Sequence, residues 1–171
     1  RARRGSRTLG TVEDELGPTL TIDDFVLPPW RIEDAAALLE ACQDPEIARW
    51  VTIPQPYTAA DADAFIESAR AMWRVGTGAP FAIVDGSTDR LLGAVTRFGP
   101  DRNEAPLGWQ LIPDGRRRGV GPQSFKKNAE WTFATTAVLR IDVFIMVGNV
   151  ASERMVERAV FQREGVLRAW D

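Results

Sequence analysis

Three short apolar segments follow one another near the middle of the chain, and this run constrains the fold more than any other feature. The segments cover residues 81–84, 91–98 and 107–112, and each has the length of a strand. The stretches between them include residues 86–89 and 101–103, which consist mostly of the turn residues Gly, Ser, Asp and Asn. The pattern therefore predicts an antiparallel meander of three strands.

The rest of the chain alternates between helical and extended patterns around this meander. Residues 32–39 carry apolar side chains at helical spacing, and residues 58–61 form a variant of the capping box that opens helices. The further predicted elements are a strand over residues 21–26, helices over 33–43, 58–75 and 122–135, a strand over 139–147, a helix over 150–160 and a short strand over 166–167. The order β-α-α-β-β-β-α-β-α-β predicts an α/β (α+β) fold with a mixed, mostly antiparallel sheet and helices on both faces.

Length and charge limit the classes of protein to which the chain can belong. It has 171 residues, of which 44% are hydrophobic and 26% charged, as in a soluble globular domain. The net charge of −3 argues against nucleic acid as a bulk partner, although a local basic patch stays open. No apolar run is long enough to span a bilayer, so we expect no membrane partner and a cytoplasmic location. We expect residues 1–20 to be a mobile tail and residues 21–171 to be a single domain.

Histidine is absent from the sequence, and cysteine occurs once, at Cys42. Without histidine the chain cannot use a Ser-His-Asp or Cys-His arrangement, and we expect no metal site. A general base must then be a carboxylate, a lysine, a tyrosine or a water chain. Cys42 lies in an apolar, helical pattern, which favours a small buried side chain over a nucleophile.

Residues 116–122, with the sequence Arg-Arg-Arg-Gly-Val-Gly-Pro, lie between a predicted strand and a predicted helix. Two glycines at this spacing let the backbone turn tightly and approach a ligand. The helix that follows offers unpaired N–H groups and the positive end of its dipole, and arginines bind phosphate oxygens well. These properties predict a phosphate or pyrophosphate site, while a glycine-containing turn with a solvated basic run explains the stretch alone equally well. The motif is neither a Walker loop nor a Rossmann fingerprint.

Several motifs occur in the order found in one known family. Residues 116–121 (Arg-x-x-Gly-x-Gly) resemble the Gln/Arg-x-x-Gly-x-Gly/Ala motif of GNAT acyltransferases. Residues 149–152 (Asn-Val-Ala-Ser) and 156–161 resemble the Asn-x-x-Ser and Glu-Lys/Arg-x-Gly-Phe motifs of the Rim-type branch, which includes the ribosomal-protein alanine N-acetyltransferases. Residues 27–35 are similar to the first strand and helix of that branch. The resemblance covers roughly residues 22–171.

The resemblance implies an acetyl-CoA-dependent N-acetyltransferase whose cofactor lies where the fourth and fifth strands splay apart. The backbone around Leu111 and Ile112 would pair with the pantetheine arm, and the N–H groups of residues 117–121 would hold the pyrophosphate. Asn149 and Ser152 would face the thioester, although outside the family context they are equally well explained as a turn residue and a first-turn helix serine. The residues implied in cofactor binding are Leu111, Ile112, Arg116, Arg117, Arg118, Gly119, Val120, Gly121, Asn149 and Ser152.

The candidate catalytic residues are Glu104 and Ser152. The family often has a glutamate two residues before its Gly-Tyr pair, but here that position is Pro106. The nearest carboxylate on the same strand face is Glu104, two residues earlier, which makes it the candidate base. A solvated turn residue is nevertheless the favoured interpretation of Glu104.

Three further positions depart from the family pattern. Trp109 replaces a tyrosine, and Val160 replaces the glycine before phenylalanine. The family's usual last strand has no counterpart before Asp171, so the predicted strand over residues 166–167 would have an open edge. A second copy of the chain could cover that edge, which predicts a homodimer, whereas truncation of a longer chain is the competing account.

The family's reaction is direct attack of an amine on the acetyl thioester, with no covalent enzyme intermediate. The acceptor stays open among protein N-termini, aminoglycosides, polyamines and other small amines, and residues 52–57 and 99–104 are expected on the acceptor side. The alternative function is a non-catalytic acyl-CoA-binding or interaction domain on a degenerate fold of the same type. Pro106 and the missing last strand favour that alternative, whereas the intact loop with Asn149 and Ser152 favours the enzyme, which is the preferred interpretation.

Overall fold

The structure, a computed structural model, describes residues 16–99 and 103–168. In this part of the chain the strands are β1 (Leu20–Ile22), β2 (Phe25–Leu27), β3 (Gly78–Asp85), β4 (Leu91–Phe98), β5 (Glu104–Leu111) and β6 (Arg140–Asp142), and the helices are α1 (Ala35–Ala41), α2 (Pro45–Trp50), α3 (Ala59–Val75), α4 (Val120–Thr135) and α5 (Val150–Arg158). The strands lie in the sheet in chain order. Neighbours are antiparallel from β1 to β5, and β5 and β6 are parallel.

The sheet separates two hydrophobic cores, one on each face. Every residue of β3 is buried, and its side chains alternate between the cores. Phe81 and Ile83 pack with residues of α4 and α5, whereas Ala82 and Val84 pack with residues of α1 and α3. The expected mixed sheet with helices on both faces is thereby confirmed. Among the described residues, no helix combines the length and apolar character that a membrane crossing requires.

The N-terminal strand predicted over residues 21–26 is instead a hairpin of β1 and β2. Asp23 adopts a φ of 33° between the two strands, and Leu20 pairs with Leu27. Leu20 is buried in the core, because an apolar side chain gains from leaving water. The expected tail over residues 1–20 therefore ends before Leu20, and residues 1–15 lie outside the described residues.

Helix α2 lies between the helices predicted over residues 33–43 and 58–75, where no element is predicted. The pair Asp44-Pro45 begins it. The carboxylate of Asp44 accepts a hydrogen bond from the Glu46 N–H at 3.0 Å, and Pro45 takes the first helical position. Proline suits that position because the N–H that it lacks would have no partner within the helix.

The strand predicted over residues 139–147 is reduced to the three residues of β6. Its ladder with β5 ends at the pair of Asp142 with Pro106. Residues 143–146 follow without a strand partner in the described part of the chain. An apolar run makes a strand only where a neighbouring strand pairs with it, and this one has none beyond Asp142.

The short strand predicted over residues 166–167 is also not formed. Val166 and Leu167 are each 55% exposed, and residues 161–167 are irregular. This segment is instead tied to β6 by Glu164, which accepts two hydrogen bonds from the Arg140 guanidinium at 3.0 and 2.6 Å. A bidentate ion pair on the surface needs no strand geometry.

Helix α5 ends at Arg158, two residues earlier than predicted, because the chain enters a left-handed turn. Val160 has a φ of 64° and is 80% exposed, and the Phe161 N–H closes the turn on the Val156 carbonyl at 3.1 Å. This geometry normally takes glycine, and a β-branched residue with a positive φ is strained.

Val160→Gly should therefore stabilise the fold by about 1 kcal/mol. The left-handed conformation costs an L-residue roughly 1–2 kcal/mol, and glycine returns less than that through the greater freedom of the unfolded chain. Thermal unfolding should show a rise in Tm of about 2–4 °C. Val160→Ala, which keeps a Cβ atom, should give a smaller rise, and an unchanged or lower Tm for the glycine variant would show that the turn is not strained.

Candidate functional site

The sheet splits between β5 and β6. Residues 104–106 pair with residues 140–142, and the two strands then separate. From Leu107 to Leu111, β5 keeps its pairing with β4, so among the described strands it has a neighbour on one edge only. The other edge presents backbone N–H and C=O groups to which an extended ligand can add like a strand.

Ile112, one of the expected backbone contacts, has no unused backbone group at this edge. Its N–H donates to the Leu92 carbonyl at 3.1 Å, and its carbonyl accepts from the Gly115 N–H at 2.9 Å. Backbone groups alternate between the two edges of an antiparallel strand, so Trp109 and Leu111 direct theirs to the open edge. At this edge the Leu111 carbonyl already accepts a hydrogen bond from the Arg116 Nε at 3.1 Å, and the expected contact of Leu111 and Ile112 with a ligand stays a prediction.

The loop that follows β5 presents a row of unpaired N–H groups. After a 3-10 turn at Pro113–Gly115, Arg117 and Gly119 take left-handed φ values of 59° and 75°, and Gly119 is the N-cap of α4. Within the described residues, no backbone hydrogen bond uses the N–H of any residue from 117 to 121. Successive free N–H groups at a helix N-terminus form a concave site for an anion.

Gly121 lets α4 approach β5 and α5 closely. A Cβ atom at this position would lie 2.9 Å from the Met155 Cγ and 3.0 Å from a Leu111 methyl carbon. Both distances are shorter than an ordinary carbon contact, so a larger side chain would push the neighbours away. The second glycine of the motif therefore keeps the loop, the open edge of β5 and α5 together.

The three arginines of the loop differ in their partners. The guanidinium of Arg116 donates to the Leu111 carbonyl at 3.1 Å and to the Asp44 carboxylate. That of Arg118 donates to the Asp85 carboxylate at 2.9 Å. Arg117 is exposed and forms no ion pair with any described residue. Of the three expected phosphate contacts, only the Arg117 side chain is unengaged in this conformation.

Asp85, at the end of β3, is a fixed anchor for Arg118. One of its oxygens accepts from the Ser87 hydroxyl at 2.6 Å and from the N–H groups of Ser87 and Thr88 at 3.0 and 3.1 Å. The Ser87 hydroxyl and the Arg118 guanidinium hold the pKa of Asp85 well below its usual range, because both stabilise the charged form. The carboxylate is therefore ionised at any pH near neutrality.

Asn149 and Ser152 lie at the start of α5, on the side of the helix that approaches the loop. The Asn149 Oδ1 accepts a hydrogen bond from the Ser152 N–H at 3.1 Å, so Asn149 caps α5. Ser152 precedes Met155, which packs beside Gly121, by one helical turn. The Ser152 hydroxyl and the Asn149 amide nitrogen make no hydrogen bond to a described residue.

Glu104 lies apart from the other candidate residues. It is exposed at the start of β5 and stands opposite Arg140 in the ladder, whereas the loop begins after the other end of the strand. At about 3.3 Å per residue, the strand separates Glu104 from Leu111 by roughly 23 Å. Successive side chains of a strand point to opposite faces of the sheet. Leu107 packs in the core on the face of α4, so the Glu104 side chain lies on the other face, that of α1 and α3.

Two residues of the site were missed in the sequence, Asp44 and Asp85. They are 72 and 33 residues away from the arginines that they bind, so no local pattern marks the pairs. The Asp44-Pro45 dipeptide is a helix-start signal, but it says nothing of Arg116. Within the described residues, no three histidine, cysteine, aspartate or glutamate side chains gather as a metal ion would need.

The chain is similar to known acetyltransferases in sequence and in fold. Residues 24–162 match the model of a family described as an acetyltransferase (GNAT) domain. The uncharacterised N-acetyltransferase YoaA of Bacillus subtilis (strain 168) is 24% identical over 155 residues, which are 90% of this chain and 88% of that protein.

Two solved structures show the same fold. The microcin self-immunity acetyltransferase MccE, in complex with acetyl-CoA and AMP, has a TM-score of 0.81 and 19% identity, covering 92% of this chain and 90% of that chain. The ribosomal-protein-S5-alanine acetyltransferase from Vibrio fischeri has a TM-score of 0.76 and 15% identity, covering 87% and 85%. At these identities the likeness shows the fold alone.

Proposed function

The chain belongs to the acetyltransferase (GNAT) domain family, and from this premise we propose that it moves an acetyl group from acetyl-CoA to a primary amine of a protein N-terminus or a small molecule. When bound, acetyl-CoA supplies an activated thioester that a neutral amine can attack directly. The chain then has to bind the cofactor, orient the amine and exclude water, and none of its residues has to form a covalent intermediate.

The main support for this proposal is the set of unpaired N–H groups in the loop over residues 117–121. Its unpaired N–H groups and the N-terminus of α4 suit a pyrophosphate, and they lie at the end of the open edge of β5. We propose that the backbone at Trp109 and Leu111 binds the pantetheine arm. The Ser152 hydroxyl and the Asn149 amide nitrogen would face the thioester end.

The acceptor class can be tested by direct competition. Purified protein, acetyl-CoA and an equimolar mixture of short peptides, polyamines and aminoglycosides would be incubated together, and the acetylated products identified by mass spectrometry. If a protein N-terminus is the acceptor, peptides should be modified at the α-amine and an N-terminally blocked peptide should not react. Modification of the polyamines or aminoglycosides alone would assign a small-molecule acceptor instead.

We propose Glu104 as the general base because it is the nearest carboxylate on the strand face of Pro106, at the end of β5 that lies away from the loop. Glu104→Gln should lower kcat/KM at neutral pH about a hundredfold, and the deficit should shrink at high pH as more of the amine becomes neutral. The pH–rate profile of the variant is the measurement, with Glu130→Gln, an exposed carboxylate on α4, as the matched control. An unchanged profile for Glu104→Gln would transfer the base role to water or to the neutral fraction of the substrate amine.

A homodimer is proposed from the apolar side chains at the C-terminal end of the described chain. The C-terminal apolar surface comprises the exposed residues Leu139, Met146, Val147, Val150, Val160, Val166 and Leu167. These residues follow or flank the short strand β6, whose outer edge has no partner among the described strands. Exposed apolar side chains in the segments before and after an edge strand favour a second copy as the partner.

Light scattering at several protein concentrations tests the homodimer. We expect the mass of two chains at micromolar concentration, and Leu139→Asp combined with Val147→Asp should shift the equilibrium to the monomer, because charges would then be buried at the interface. A monomer at tens of micromolar with full activity would contradict the proposal.

The proposal also includes a cytoplasmic location and a single domain over residues 21–171. The buried Cys42, which forms no disulfide, suits a reducing compartment.

A further inference from the structure

Asp44 holds three elements of the site together through one carboxylate. Its Oδ1 caps α2 by accepting from the Glu46 N–H, and its Oδ2 accepts from the Arg116 guanidinium. The Nε of Arg116 in turn donates to the Leu111 carbonyl at the end of β5. The side chain of Asp44 is 12% exposed, so water competes weakly for this ion pair.

Arg116 lies between the 3-10 turn that follows β5 and the row of unpaired N–H groups. The guanidinium fork can bind the Leu111 carbonyl and Asp44 together because its donors have a fixed, planar geometry. The next residue, Arg117, takes a left-handed φ of 59°, which costs energy for a residue with a Cβ atom. Such a conformation persists where neighbouring contacts impose it, and the contacts of Arg116 and of Arg118 flank it on either side.

On this basis we propose that Asp44 is a positioning residue for the cofactor loop. Through Arg116 it fixes where residues 117–121 begin, so that their N–H groups are aligned for a pyrophosphate before the ligand arrives. The inference rests on the proposed function of that loop, and it adds a residue of α2 that lies outside the loop and outside the motif that marks it.

The direction in which CoA affinity changes when the Asp44 carboxylate is removed distinguishes a positioning role from a purely electrostatic one. Removing a carboxylate near an anion site should tighten the binding of an anion if only charge matters, because a repulsion is removed. Removing a positioning residue should weaken binding, because the N–H groups then have to be ordered by the ligand. The two accounts therefore predict opposite changes in affinity.

Asp44→Asn is the informative substitution, because asparagine caps a helix as well as aspartate does and removes only the charge that binds Arg116. Calorimetry with CoA should show a Kd about tenfold higher than that of the wild-type chain, in keeping with the loss of one charged hydrogen bond. With acetyl-CoA as substrate, KM for acetyl-CoA should rise by the same factor while kcat stays near that of the wild type. Thermal unfolding should be nearly unchanged, since the cap of α2 is kept.

Two further variants keep the inference testable. Glu46→Gln removes the same charge from the same helix without touching Arg116, and it should leave the Kd for CoA unchanged. Arg116→Lys keeps the positive charge but cannot bind Leu111 and Asp44 together, so it should lose affinity as Asp44→Asn does. Combining Asp44→Asn with Arg116→Lys should add little further loss, because the two residues act as one contact.

The possible results distinguish a failure of the proposed function from a failure of the proposed role of Asp44. If the wild-type chain fails to bind CoA, the proposed function is wrong, and the role of Asp44 falls with it. If the wild-type chain binds CoA and Asp44→Asn binds it as tightly or more tightly, the role of Asp44 alone is wrong. A loss of affinity that Glu46→Gln shares would also contradict the positioning role, because it would reflect the charge of α2 as a whole.

Discussion

Gly119→Val should abolish measurable CoA binding while leaving the fold largely intact. Gly119 has a φ of 75° at the N-cap of α4, a conformation that a β-branched residue adopts only under strain. Relief of that strain would rotate the adjacent peptide groups, and the N–H groups of residues 117–121 would no longer point to one anion. Each charge-assisted hydrogen bond to phosphate is strong, so the loss of several should raise the Kd on the order of a hundredfold or more. Calorimetry with CoA is the measurement.

Gly76→Val provides the matched control for this prediction. Gly76 also has a left-handed φ, 73°, and no atom lies within 4 Å of the place that a Cβ would take. It ends α3 and is not part of the loop. The control should lose stability through the same backbone strain and keep its affinity for CoA. Unchanged affinity in Gly119→Val, or equal losses in both variants, would refute the assignment of the loop.

Phe125→Ala should lower the free energy of unfolding by about 3–5 kcal/mol, because it empties a well-packed position. Phe125 lies on α4 and is 1% exposed. Its ring packs edge to face on those of Trp109 and Phe161, with distances between ring centroids of 4.7 and 5.6 Å. It thus joins the open strand β5, the helix of the loop and the segment after α5. For a chain of this length the loss corresponds to a fall in Tm of roughly 10 °C.

Phe133→Ala on the same helix is the control, since Phe133 is 49% exposed. Chemical denaturation of both variants would give the free energies of unfolding directly. Phe133→Ala should change the free energy of unfolding by less than about 1 kcal/mol. Similar losses at the two positions would mean that Phe125 is not the centre of packing between β5 and α4.

The elements that sequence predicted well carry their own local signals. Helix α3 begins after Thr58, whose side chain forms the predicted capping box with Asp61, and it ends at Gly76 in a left-handed conformation. Strand β4 has the predicted bounds, Leu91–Phe98, because turn residues precede it and a mostly apolar, buried run fills it. Caps, turns and apolar runs are properties of a few neighbouring residues, so one sequence suffices to find them.

The elements that were mispredicted depend on partners elsewhere in the chain. The apolar residues 143–147 have the composition of a strand, but pairing with β5 stops at Pro106, far away in sequence. In the sequence, Pro106 stands out because it occupies a position where the family often has a glutamate. In the structure it lies where β5 and β6 separate. Likewise the loop itself was visible in the sequence, but its contacts with Asp44 and Asp85 depend on the tertiary fold.

The family assignment also bears on the alternative of a non-catalytic domain. Curated relatives that match 90% of the chain are named as N-acetyltransferases, although none of them identifies an acceptor. Trp109 and Val160, two of the departures from the family pattern, have structural roles, in the packing around Phe125 and in the turn after α5. Neither substitution removes a group from the cofactor loop.

Acetyl transfer from isotopically labelled acetyl-CoA to a panel of amines is the most direct test of the account. Wild-type protein and Gly119→Val would be incubated with the same panel, and the labelled products measured by mass spectrometry against a reaction without protein. We predict that the wild type labels at least one amine well above the uncatalysed background and that Gly119→Val does not. Binding of CoA with no labelled product from protein N-terminal peptides, polyamines or aminoglycosides would contradict the enzymatic account, and equal labelling by both proteins would contradict the role of the loop.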